Sequence, residues 1–115
     1  MNVIKRNGTE VIFDLAKIIA AITKANDSVE ENARMTPMQI QRIAEFVELS
    51  CLKMNRSPSV EEIQDLVEQG LVAENKFHLA KTYIIYRYNR ALVRKANTTD
   101  ESILSLLRNE NKELA

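Results

Sequence analysis

Residues 1–18 read Met1-Asn2-Val3-Ile4-Lys5-Arg6-Asn7-Gly8-Thr9-Glu10-Val11-Ile12-Phe13-Asp14-Leu15-Ala16-Lys17-Ile18, and this stretch decides the fold. Two short β-prone runs flank Asn7-Gly8. Asn-Gly is a strong hairpin signal because both residues tolerate the positive φ of a type I′ turn. Asp14 is placed to cap a helix that begins at Leu15. Lys5, Arg6 and Lys17 gather cations beside the turn and that helix start. Backbone donors, a helix N-terminus and three cations in one place favour an anion, phosphate first among them.

A hairpin alone is marginal in water and must lie on something. Ile4, Val11 and Phe13 are expected to pack downward. Helix one spans about Leu15 to Ala25, with Leu15, Ile18, Ile19 and Ile22 at helical spacing. Asn26-Asp27-Ser28 breaks it, and Val29 to Met35 reads as a connector with at most a turn of helix. Helix two opens on Thr36, with Pro37 at its first position and Gln39 completing a capping box. Its apolar stripe is Ile40, Ile43, Val47, Cys51 and Met54, with Phe46 beside it. Helix three opens on a second capping box, Ser59 to Glu62, and turns Ile63, Leu66 and Val67 inward, with Gly70 near its end. Asn75 is expected to open helix four, which runs to about Ala96 with a wide apolar face and a basic later part. Asn97-Thr98-Thr99 reads as a linker, and Glu101 to Arg108 as a last short helix. The fold class is α+β, mainly α: an N-terminal β-hairpin lid over a four-helix bundle, with a short C-terminal helix and linker.

The totals narrow the function. At 115 residues this is one domain with an appendage, long enough to bury a core without staples. Sixteen basic residues balance sixteen acidic ones, so the whole-protein basic field of many nucleic-acid binders is absent. One cysteine, Cys51, excludes an internal disulfide and an all-cysteine zinc site. No apolar run is long enough to span a bilayer and no signal peptide opens the chain, so a cytoplasmic setting is expected, with neither nucleic acid nor membrane as a direct partner. His78 and Cys51 read as a helix-start histidine and a small buried apolar residue. No nucleophile arrangement, carboxylate pair or Walker A loop points to catalysis or ATP hydrolysis.

The opening pattern V-I-K-R-x-G-T-E-V-x-F-D-x-x-K-I resembles the start of the ATP-cone, the regulatory nucleotide-binding domain of many ribonucleotide reductases. The resemblance runs to about Arg94. It returns in Ser102-Ile103-Leu104 and Asn109-Glu110-Asn111, which resemble the segment leading into the catalytic domain of the anaerobic, glycyl-radical class. It implies a regulatory domain over residues 1–96 and a linker over residues 97–115 leading toward a catalytic domain of the same polypeptide. It implies ATP as activating effector and dATP as inhibiting effector, acting through oligomeric state or conformation, with self-association through cones. Mg²⁺ is expected only as a companion of the nucleotide.

By resemblance, Lys5, Arg6 and Lys17 hold phosphates, with Asn7 and Gly8 forming the turn of the lid. Val3, Val11, Phe13 and Ile18 shape the wall near base and sugar. The start of helix three, Ser59, approaches base and sugar, and Gln64 stands where the family senses the 2′ position. Val60 falls where other members carry Thr. Tyr83, Arg87 and Arg90 form a patch of aromatic and cationic groups on helix four, Arg90 matching a phosphate-binding position. Arg87 and Arg90 are three apart and share a helix face. The bland reading of the same residues is a solvated basic hairpin, an ordinary capping box and a basic helix face. Two other functions fit the residues: a cone module in a transcriptional repressor of reductase genes, and a helical protein-interaction domain without nucleotide affinity.

Overall fold

The two β-prone runs pair across the Asn-Gly turn. In the computed structural model, which describes the backbone of residues 1–114 and the side chains of residues 1–95, β1 (Asn2–Ile4) and β2 (Glu10–Ile12) form an antiparallel ladder. The register sets Asn2 opposite Ile12, Val3 opposite Val11 and Ile4 opposite Glu10. The turn differs from the type I′ expectation. Gly8 N–H donates to Lys5 C=O at 2.9 Å, Lys5 N–H donates to Thr9 C=O at 2.8 Å, and Gly8 carries the positive φ of 88° while Asn7 does not. This is a three-residue loop with glycine in the left-handed position. The Asn7 side chain selects it, because Oδ1 accepts from both the backbone N–H (3.1 Å) and the hydroxyl (2.7 Å) of Thr9.

Val3, rather than Ile4, is the strand residue that packs into the interior. Side chains alternate along a strand, so Val3, Val11 and Phe13 share one face and Ile4 lies on the other with Glu10. Val11 stays 41% exposed.

Four helices follow: α1 (Leu15–Asp27), α2 (Pro37–Leu52), α3 (Val60–Ala73) and α4 (Phe77–Leu114). Asp14 caps α1 by accepting from Ala16 N–H at 3.0 Å. Both expected capping boxes are formed, Thr36 with Gln39 and Ser59 with Glu62. A single 3₁₀ turn, Glu31–Ala33, lies in the connector. The connector is pinned by Asn26, the one buried polar side chain among the described residues. Its Nδ2 donates to Met35 C=O at 3.1 Å and its Oδ1 accepts from Met35 N–H at 2.7 Å.

Asn75 closes α3 instead of opening α4. It has φ of 60°, its N–H reaches Val72 C=O, and Lys76 N–H reaches Leu71 C=O, the paired bonds of a Schellman ending. Asparagine suits that position because it tolerates the left-handed conformation. The expected linker Asn97-Thr98-Thr99 is helical as well and falls inside α4. Without Gly or Pro, those residues lower helix propensity by only a few tenths of a kcal/mol each. The apolar side expected for residues 101–108 and the tail motifs lie outside the described side chains.

The chain divides into two units, Met1–Ile84 and Ile85–Ala115. The first holds the core. Ile22, Ile43, Val47, Leu71 and Leu79 are fully buried, α2 packs against α1 and α3, and Phe13, Leu15, Ile19, Ile63 and Leu66 pack around that centre. Of the expected α2 stripe, Met54 is half-buried and Phe46 exposed, so the stripe ends at Cys51. The second unit is the later part of α4. It carries Arg87 and Arg90 three residues apart, with Ile85, Tyr88 and Leu92 exposed. No described helix is long and apolar enough to cross a membrane.

Candidate functional site

The hairpin is fastened to the start of α3. Ile4 N–H donates to Pro58 C=O at 2.9 Å, and Arg6 Nε pairs with Glu61 Oε1 at 2.8 Å. Arg6 Nη2 donates to Gln64 Oε1 at 3.2 Å. These ties hold the hairpin over the N-terminal turns of α1 and α3. There the alternating face of the hairpin encloses a cavity of about 290 Å³.

Its lining divides by chemistry. Val3, Val11 and Phe13 come from the hairpin, and Ile18 from α1. Ile63 and Val67 from α3 complete an apolar wall, and Tyr83 of α4 adds an aromatic ring with a hydroxyl. Lys5 and Lys17, both solvent-exposed, bring two cations to the same space, with Asp14 between them in sequence. The carboxylate of Asp14 is engaged in capping α1, whose N-terminus carries the positive end of the helix dipole. Gln64 supplies a half-buried amide. An apolar slot beside two ammonium groups and a helix N-terminus suits a ligand with a flat apolar part and an anionic part.

The cavity gathers Val3, Lys5, Val11, Phe13, Lys17, Ile18, Gln64 and Tyr83 of the residues expected from the sequence. Arg6 does not line it; its guanidinium is drawn to Glu61 and Gln64, because carboxylate and amide oxygens of the α3 start are within reach. Asn7 and Gly8 build the turn and Ser59 caps α3, none of them lining the cavity. Arg87 and Arg90 belong to the second unit.

The lining also holds Ile12, Asp14, Ala21, Ile63 and Val67, which the sequence does not mark as site residues, and Val60, expected only to stand where other members carry Thr. Helical spacing could have found most of them. Ala21 is one turn beyond Lys17, and Val60, Gln64 and Val67 fall on one face of α3.

Two ionisable groups away from the cavity are displaced. The Arg56 hydrogen bond, with a further bond from the Ser59 backbone, holds the Glu62 carboxyl at about 2. Burial pushes the Cys51 thiol up, helped by Glu62 and Glu48. A buried thiol of raised pKa is a poor nucleophile. His78 is exposed. Among the described residues no group of three or more His, Cys, Asp or Glu could hold a metal ion.

Residues 1–92 match the ATP cone domain family. The chain is 36% identical over 110 residues to the ribonucleoside-diphosphate reductase subunit alpha of Chlamydia trachomatis, covering 89% of this chain and 10% of that protein. It is 40% identical over 98 residues to the vitamin B12-dependent ribonucleoside-diphosphate reductase of Thermoplasma acidophilum, covering 81% of this chain and 12% of that one. It is 32% identical over 114 residues to the anaerobic ribonucleoside-triphosphate reductase of Haemophilus influenzae, covering 97% of this chain and 16% of the relative. The chain thus spans between a tenth and a sixth of the length of these relatives.

Proposed function

The chain belongs to the ATP cone domain family, and on that premise we propose that its cavity binds ATP and dATP as allosteric effectors of a ribonucleotide reductase. The observation that carries this reading is the joint lining of one cavity by an apolar wall, Lys5, Lys17 and the α1 N-terminus.

The adenine ring packs between the hairpin valines with Phe13 and the α3 residues Ile63 and Val67. The phosphates meet Lys5 and Lys17, where charge-assisted hydrogen bonds act. Gln64 faces the sugar, and Val60 offers no hydroxyl beside it. Mg²⁺ travels with the phosphates. The domain does no chemistry on the nucleotide. It biases an equilibrium between conformational or oligomeric states of a larger polypeptide, and each effector shifts that equilibrium by the difference in its affinity for the two states. ATP favours the active state and dATP the inactive one, with a coupling of about 1–3 kcal/mol.

We assign the larger polypeptide to the anaerobic class. The tail motifs Ser102-Ile103-Leu104 and Asn109-Glu110-Asn111 support this, as does the 97% of the chain taken in by the match to the anaerobic relative. The higher identity to the B12-dependent relative favours a second reading, a cone on a diphosphate reductase. Reduction of nucleoside triphosphates or diphosphates by the full-length polypeptide separates the two.

Calorimetric titration of the chain with ATP, dATP and GTP, each with Mg²⁺, tests the site. Binding of both adenine nucleotides and weaker binding of GTP is expected, and the fitted stoichiometry gives one site or two. Failure of all three to bind, to this chain and to the full-length polypeptide alike, would overturn the reading and leave a helical interaction domain in its place.

A further inference from the structure

Arg6 stands between two groups of α3. Its Nε pairs with Glu61 Oε1 at 2.8 Å, and its Nη2 donates to Gln64 Oε1 at 3.2 Å. A guanidinium carries only donors, so the carboxamide atom that faces it is the oxygen. The usual ambiguity between the two ends of a glutamine amide is thereby removed. The Gln64 side chain makes no second hydrogen bond among the described residues, and the residue lines the cavity. With its oxygen turned toward Arg6, the amide is oriented, and its amino group, which only donates, is the end left without a partner.

Glu61 is exposed, does not line the cavity and pairs with Arg6, which links it to Gln64. Without that carboxylate the long arginine side chain samples many rotamers, and Gln64 loses the partner that fixes its amide. We propose that Glu61 is a positioning residue for specificity: through Arg6 it fixes Gln64 as a hydrogen-bond donor toward the cavity and so sets the preference between nucleotides that differ by one acceptor, the 2′-hydroxyl oxygen. This rests on the nucleotide reading of the cavity given above.

The selectivity ratio is the readout that isolates the effect. Removing a carboxylate strengthens the binding of any polyanion nearby, but ATP and dATP carry the same charge, so that contribution cancels between them. An exposed ion pair adds little to stability, so loss of Glu61 leaves the fold in place.

The test is a titration of the chain with ATP and dATP for the parent, Glu61→Ala, Gln64→Ala and the double variant, with thermal melts alongside. Glu61→Ala is expected to lower the ATP:dATP affinity ratio by about two- to tenfold, the worth of one neutral hydrogen bond. It is expected to add nothing in the Gln64→Ala background. Glu61→Gln, whose amide oxygen still accepts from Arg6, is expected to retain part of the preference. An unchanged ratio in a Glu61→Ala protein that still binds ATP would sink the relay and leave the nucleotide site standing. An equal change with and without Gln64 would sink it too. If the parent binds neither nucleotide, the site reading and the relay fall together.

Discussion

Gly70 of α3 lies against Ile43 of α2 so closely that a β-carbon on the glycine would stand 2.8 Å from Cγ2 of the isoleucine. Ile43 is 2% exposed and branched at Cβ, so its methyl has little room to move. The close approach sets the packing of α3, the helix that carries Gln64, Ile63 and Val67 into the cavity.

Gly70→Ala is therefore expected to destabilise the chain by about 1–3 kcal/mol through overpacking. Alanine is the better helix former by about 1 kcal/mol, which works in the other direction. A midpoint that falls in urea or thermal denaturation, by roughly 4 °C per kcal/mol, means that packing wins. A rise would mean that α2 and α3 can separate cheaply.

Lys5→Ala and Lys17→Ala are each expected to weaken ATP binding by about 1–3 kcal/mol, as loss of a hydrogen bond to a charged group does. Adenosine, which has no phosphates, should bind all four combinations of parent and variants almost equally. Equal losses for ATP and adenosine would move the phosphates away from these two lysines.

Asn26→Ala leaves the backbone N–H and C=O of Met35 buried without their partners. Each orphaned group costs about 1–3 kcal/mol, so a loss of roughly 2–6 kcal/mol is expected from denaturant unfolding. A loss below 1 kcal/mol would show that water reaches the connector.

The Arg56–Glu62 pair gives a pH signature. Glu62 is held at about 2 against an ordinary 4.5, so its ionised form is favoured by folding. That contribution is fully present above about pH 4.5 and is lost as pH falls through about 2. Arg56→Ala removes the partner. Its stability deficit relative to the parent should shrink as pH is lowered from 5 to 2, read from urea midpoints at each pH. A deficit independent of pH would assign the effect of Arg56 to packing.

Cys51 should resist a thiol reagent in the folded chain and react on unfolding, because it is 1% exposed and its thiol pKa is raised. Reaction faster than global unfolding would reveal a local opening of α2.

Local signals were legible in the sequence where the physics is local. Thr36 with Gln39 and Ser59 with Glu62 mark helix starts because capping needs only residues three apart. That Val3, Lys5, Val11, Phe13, Lys17 and Ile18 line one cavity was legible because a hairpin and the helix behind it bring near neighbours together. The turn itself was misread, since Asn-Gly fits two loop types and the bonds from Thr9 to Asn7 select between them. Asn75 was misread for the same kind of reason: an asparagine can begin a helix or end one, and the chain on both sides decides.

By itself the sequence determined the hairpin, the starts of the first three helices and the concentration of cations at the N-terminus. Only the tertiary structure decided which face of the hairpin is buried, since register requires knowing which residues stand opposite. It alone showed Arg6 tied to Glu61 and Gln64, residues more than fifty positions away. A glutamine in a sequence is both donor and acceptor. The guanidinium that the fold sets against its oxygen orients the amide and leaves its amino group as the end without a partner among the described residues, because an arginine has nothing with which to accept.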